Sequence, residues 1–147
     1  MFNVLSIDSN WTRCYKGYYY EMCIQELLEN SNIKFTGNPQ VYYQWKQVTQ
    51  TDYDIMCNGI KIECKLTLTP IYHSWFIRDW YNRKCDVIVT NCKWNLANKD
   101  REALKENNVL LLETHELSPF IKVYGNKFYN SYSSIVDRSS IIERYYS

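Results

Sequence analysis

An α/β fold with a central mixed β-sheet flanked by helices is what this chain predicts, and three patterns predict it. Residues 17–30 carry a helical apolar stripe, Asn58-Gly59 is a tight-hairpin signal, and two short apolar runs at 86–90 and 109–112 flank a polar stretch of helical type. A hairpin supplies antiparallel strands. A strand–helix–strand unit supplies a parallel pair through a right-handed crossover. A sheet holding both is mixed.

The helix over 17–30 places Tyr20, Cys23, Ile24, Leu27 and Leu28 on one side. Asn-rich residues 30–32 and Gly37-Asn38-Pro39 carry turn chemistry. Residues 40–48 alternate through Val41, Tyr43 and Trp45 and predict a strand, and the hairpin over 52–65 follows directly. Pro70 opens a predicted helix at 71–83. The run Val87-Ile88-Val89-Thr90 predicts a buried strand of the parallel kind, 98–107 a helix, and Val109-Leu110-Leu111-Leu112 a second buried strand. Nothing divides the 147 residues, so they predict a single domain with a core at about 17–117 and a Tyr- and Ser-rich C-terminal extension at 118–147.

Composition narrows the function classes. A formal charge of +1 carries no global basic field, so contact with nucleic acid would rest on a local patch. Aromatic residues make up 16%, with 14 Tyr, which suits a packed core and argues against disorder. No secretion signal opens the chain and no apolar run is long enough to span a membrane, which predicts an intracellular, cytoplasmic protein. None of the six cysteines stands in a Cys-x-x-Cys pair and only two histidines are present, so a structural zinc site is not expected. Cys57 and Cys64 are expected as buried thiols.

The hairpin carries the chemistry. With Asn58-Gly59 as a type I′ turn, Cys57 faces Ile60, Met56 faces Lys61, Ile55 faces Ile62 and Asp54 faces Glu63. Facing residues share a side of the sheet, with Cβ atoms roughly 4.5–5.5 Å apart. Alternation then adds Lys65 and Asp52 to the polar face and puts Tyr53, Ile55, Cys57, Ile60, Ile62, Cys64 and Leu66 on the apolar one. Two carboxylates meeting across a ladder repel unless a divalent cation lies between them. A solvated polar face is the alternative. Lys65 fits two roles, stabilising charge on a phosphate or pairing with Asp52. At about 100° per residue, Glu21 flanks the apolar stripe beside Leu28 while Glu26 and Glu29 point away, so Glu21 is the helical carboxylate able to reach the hairpin. An exposed first-turn glutamate is the competing reading.

The order of these parts resembles the restriction-endonuclease-like nucleases, nearest to Mrr-type endonuclease domains and Holliday-junction resolvases. Gly17-Tyr18-Tyr19-Tyr20-Glu21 with Glu26-Leu27-Leu28 is similar to the opening helix of that superfamily. Asp54 and Glu63-Cys64-Lys65 match its Asp and Glu-x-Lys core, and residues 85–117 resemble its closing strand, helix and strand. Glu63 stands where many Mrr-type domains carry Gln, and no separate DNA-recognition domain is present.

The resemblance implies a metal-dependent nuclease hydrolysing phosphodiester bonds in DNA, an endonuclease rather than an exonuclease. The alternative is a catalytically silent protein of the same fold that binds nucleic acid or assembles with a partner; an RNA-directed nuclease is a third reading. Mg²⁺ or Mn²⁺ would be held by Asp54, Glu63, Glu21 and the backbone carbonyl of Cys64, with Lys65 completing the catalytic set. Asp52 is a weaker ligand candidate. Lys61, Lys93 and Lys99 are candidates for the phosphate backbone, and His73 reads as a packing residue. DNA is the expected partner, and a homodimer would let two single sites cut two strands, with the apolar residues of the tail as contact surface; the alternative for the tail is a final helix packed back onto its own sheet.

Overall fold

Asn58 and Gly59 have φ values of 51° and 81°, the pair of positive angles a type I′ turn requires. The strands they join, β4 (Ile55–Cys57) and β5 (Ile60–Lys65), pair as Cys57↔Ile60, Met56↔Lys61 and Ile55↔Ile62, the predicted register. The chain, seen in a computed structural model, is described over residues 10–37, 42–43, 46–47, 53–67, 85–129 and 135–146.

The fold is α/β. A five-stranded mixed sheet has the order β1 (Thr36–Gly37), β4, β5, β6 (Val87–Thr90) and β7 (Leu110–Glu113). Its first three strands run antiparallel and β5, β6 and β7 run parallel. The helix between the parallel strands β6 and β7 is α2 (Asn98–Glu106). One face of the sheet, with Ile62, Val87, Val89, Leu110 and Leu112, packs with Tyr20, Ile24 and Leu28 of α1 (Asn10–Asn30) in the main core. The other face, with Ile88 and Leu111, packs on Leu96 and on Leu104 of α2. Both α1 and α2 are followed by an asparagine in the left-handed region, Asn32 and Asn108, each at φ 58°. An amide beyond each turn, Ile33 N–H or Val109 N–H, returns to the last helical turn at Leu28 or Leu104. Among the described residues no helix is long and apolar enough to cross a membrane.

Three expectations change. The stretch 40–48 does not run as one strand: β2 (Tyr42–Tyr43) and β3 (Lys46–Gln47) pair with each other antiparallel, so the chain doubles back there. The partner of β4 in the main sheet is instead β1, through Thr36↔Met56 and Gly37↔Ile55. Helix α1 starts at Asn10, ahead of the predicted 17, because no proline intervenes and Gly17 is carried inside the helix.

The third change concerns the tail. Residues expected to form an extension make α3 (Leu117–Tyr129) and α4 (Ile135–Tyr146). Phe120, Phe128, Ile141 and Ile142 are buried in the chain's own main core, so these side chains do not offer a dimer surface. Of the two readings of the tail, the packing follows the one that folds it back onto its own sheet, with two helices in place of one. The predicted helix at 71–83, with His73, and residue Asp52 lie outside the described residues.

Candidate active site

The β4–β5 ladder ends in an offset. Asp54 N–H donates to the Ile62 carbonyl at 2.9 Å, although Ile62 is already the register partner of Ile55. Two residues of one strand therefore meet one of the other, as in a β-bulge. Asp54 is thus not directly opposite Glu63, as simple alternation requires. Its carboxylate instead accepts the Cys64 N–H at 2.9 Å through Oδ2. The same offset moves Tyr53 off the apolar face, and its ring centroid lies 5.9 Å from Lys61 Nζ. A strand residue directs its N–H and C=O toward the same neighbour. The Cys64 carbonyl therefore faces the Asp54 side.

Glu21, Asp54 and Glu63 are all buried, at 4%, 9% and 3% exposure. Glu21 lies deep in α1 rather than in a first turn, because the helix begins at Asn10. Burial pushes the Glu21 carboxyl up to about 8, and the charges of Asp54 and then Glu63 add to the rise. The Cys64 thiol is also held well above its ordinary range, by burial first and then by the charges of Asp54, Glu21 and Glu63. The three carboxyls and Cys64 form one electrostatic unit. Glu26 and Glu29 are exposed, as helical geometry predicts.

Lys65 ends β5 on the same face as Glu63. Parallel register sets Lys65 beside Thr90, and Thr90 beside Glu113, in a row across the C-terminal ends of the parallel strands. Beyond β5, Thr67 is buried and tied to the next strand. Its N–H and Oγ1 both donate to Asn91 Oδ1 at 2.7 and 3.0 Å, and Asn91 Nδ2 returns to the Thr67 carbonyl at 2.7 Å. This lock fixes the strand end that carries Lys65. Sequence reading missed Thr67, Asn91 and Glu113 as parts of this edge. The signal was available, since aligning the ends of the three apolar runs sets Lys65, Thr90 and Glu113 side by side.

Ligand atoms of Glu113, His115 and Glu116 lie within 4.8 Å of one another and could hold a metal ion; this is the one such three-residue group among the described residues. Two of its members already serve the backbone. Glu116 accepts the Glu113 N–H at 2.9 Å in a capping box, and Glu113 accepts the Lys93 N–H at 3.2 Å. Glu116 also pairs with Lys93 Nζ at 3.6 Å, while His115 is exposed. The carboxyls of Glu21, Asp54 and Glu63 are more deeply buried than this group and do not meet its spacing.

The three lysines considered for phosphate contact differ. Lys93 Nζ is drawn inward, donating to the Tyr145 carbonyl at 2.9 Å, so it is a structural cation. Lys61 stands over Tyr53, and its N–H donates to Asp86 at 2.9 Å. Lys99 is exposed on the first turn of α2. Comparisons with protein-family models, curated proteins and solved structures return no match.

Proposed function

We propose that this protein is a divalent-metal-dependent nuclease that hydrolyses phosphodiester bonds in DNA on a restriction-endonuclease-like arrangement of helix, meander and parallel strands. One observation carries the reading: buried Glu21 of α1 feels the charges of buried Asp54, just ahead of β4, and of buried Glu63 of β5, the strand that Lys65 ends. Burial raises the Glu21 pKa most, and repulsion from Asp54 and Glu63 adds to it. A proton or a hard cation relieves that repulsion. The donor chemistry fits Mg²⁺ or Mn²⁺, which take carboxylate and carbonyl oxygens.

Glu21, Asp54, Glu63 and the Cys64 carbonyl would hold the ion. Bound there, it supplies charge neutralisation on the phosphate and a more acidic attacking water. Asp54 is kept in place by the Cys64 N–H, so the offset in the ladder serves to aim a carboxylate. Lys65 presents its ammonium on the face of Glu63, where negative charge grows on the phosphate oxygens as the bond breaks. The Thr67–Asn91 lock limits movement of that strand end.

A single Asp54, Glu63 and Lys65 set per chain means that paired cuts would need two copies, and a homodimer is the simplest assembly that supplies them. The test is incubation of purified protein with labelled junction, flap, duplex and single-stranded DNA in Mg²⁺, Mn²⁺ or EDTA. Metal-dependent cutting that Glu63→Gln abolishes is the expected result. DNA binding without cleavage of any substrate would favour the catalytically silent binding protein.

A further inference from the structure

Trp94 is 62% exposed, the most exposed aromatic side chain among the described residues, and it lies in the short 3-10 turn that leaves β6. Exposure alone says little about a single apolar residue. Three further facts give this one a role. The indole is held by cations, with the Arg101 guanidinium 4.9 Å and Lys93 Nζ 5.6 Å from a ring centroid. Arg101 is itself fixed, donating to the Leu96 carbonyl and to Asn98 Oδ1. The turn is anchored on both sides of Trp94. Lys93 N–H donates to Glu113 at 3.2 Å, and Asn95 Nδ2 donates to the Thr67 carbonyl at 3.1 Å.

These anchors place Trp94 at the edge that carries Lys65, since Thr67 follows Lys65 by two residues and Glu113 belongs to the same row. A fixed aromatic plane flanked by positive charge, beside a site built for phosphodiesters, has the chemistry of a base-stacking platform. Every base offers a π-face to an indole, and the positive charge of Arg101 and Lys93 beside the ring favours an anionic strand there through its field rather than by direct contact. A base inside a duplex is already stacked and cannot take up this position.

We propose that Trp94 stacks an unpaired nucleobase, which makes DNA with single-stranded character the preferred substrate. The choice of DNA as occupant rests on the nuclease reading; the platform itself rests on Trp94 and its cations. Because the ring is already held, little conformational freedom is lost when a base lands on it.

The test is fluorescence anisotropy in EDTA, where cleavage cannot interfere, with a labelled oligo-dT strand and a blunt duplex of equal length. Wild type is expected to bind the single strand more tightly than the duplex. Trp94→Ala is expected to lose about tenfold on the single strand and little on the duplex, with Trp94→Phe retaining most of the affinity. Equal binding of oligo-dT by wild type and Trp94→Ala, equal losses on both probes, or no binding of oligo-dT by wild type would overturn the proposal. A second measurement in Mg²⁺ separates it from the nuclease reading. Wild type that holds oligo-dT through Trp94 yet cuts no DNA removes the nuclease and leaves the platform standing. Cleavage with binding indifferent to Trp94 does the reverse.

Discussion

Cys64 N–H donates to Asp54 Oδ2 at 2.9 Å just beyond the last paired residues of the β4–β5 ladder. A side chain thus takes the place of a main-chain acceptor. The substitution costs no hydrogen bond, so the offset that brings Asp54 out of alternation is stable. It also draws a carboxylate toward Glu63 and Glu21. Asn at position 54 would still accept the Cys64 N–H through its amide oxygen but would carry no charge. Asp54→Asn and Glu63→Gln are each expected to abolish metal-dependent cleavage and leave the circular-dichroism spectrum unchanged. Metal-free protein should melt no lower than wild type, because repulsion among buried carboxylates is relieved. Full activity in either variant would remove the metal site.

Glu21 makes stability depend on pH. Its folded-state value of about 8 lies above the ordinary 4.5, raised by burial and by Asp54 and Glu63. The folded state therefore holds a proton that the unfolded state releases across that interval. The contribution of Glu21 is fully present below about pH 4.5 and is lost as pH rises through about 8. In EDTA, the melting temperature of wild type should fall across this window relative to Glu21→Gln, which has no proton to lose. Added Mg²⁺ should restore wild type at the alkaline end. Thermal melts of both proteins in matched buffers read this directly, and parallel pH profiles would exclude a buried, coupled Glu21.

Lys65 acts in the transition state under this reading, so binding and turnover should separate. Lys65→Ala is expected to lower kcat by about 10²–10³-fold, the range for losing one preorganised charge-stabilising donor. DNA affinity in EDTA should change little. A loss confined to affinity would make Lys65 a binding residue instead.

The sheet was readable where local rules act alone. Asn58-Gly59 fixed the turn and, through it, the register from Ile55 to Ile62. The runs at Val87–Thr90 and Leu110–Glu113 are apolar on both faces because helices cover both, and they pair in parallel as their composition predicts. The position of Asp54 was less readable. A bulge leaves no mark in the alternation of side-chain types, and here it depends on a hydrogen bond to a strand amide. The sequence left Phe120 and Phe128 open between a dimer surface and the chain's own core, for another reason. They pack against strands distant in sequence, and the α1 start at Asn10 likewise exceeds what its apolar stripe records.

Gly17 lies inside α1 with nothing within 4 Å of where a Cβ would stand. Glycine in a helix interior costs roughly 0.5–1 kcal/mol relative to alanine, mainly through the freedom it keeps when unfolded. Gly17→Ala should therefore stabilise the protein by about that amount without altering the carboxyl set. Urea titration checks the sign. Destabilisation would mean that the backbone at Gly17 is not regular helix.

The C-terminal helices are the decisive test of where the core ends. Phe120 and Phe128 are fully buried and meet edge-to-face with centroids 5.3 Å apart, and Phe120 also meets Tyr145 at 5.9 Å. Helix α4 also lends Arg138 to Asp86 at 2.9 Å, just ahead of β6, and Tyr146 OH to the Val109 carbonyl at 3.1 Å, just ahead of β7. Removing these helices would expose the sheet face that holds Val87, Val89, Leu110 and Leu112. A chain ending at Ser118 is therefore expected to be unfolded by circular dichroism. Phe120→Ala in the full chain should cost roughly 3–5 kcal/mol in urea titration. Light scattering of the full chain then reads its oligomeric state without the ambiguity of a detached tail. A truncated chain that melts cooperatively, or a Phe120→Ala variant as stable as wild type, would show that the core closes without α3 and α4. Their apolar residues would then be available to a second copy.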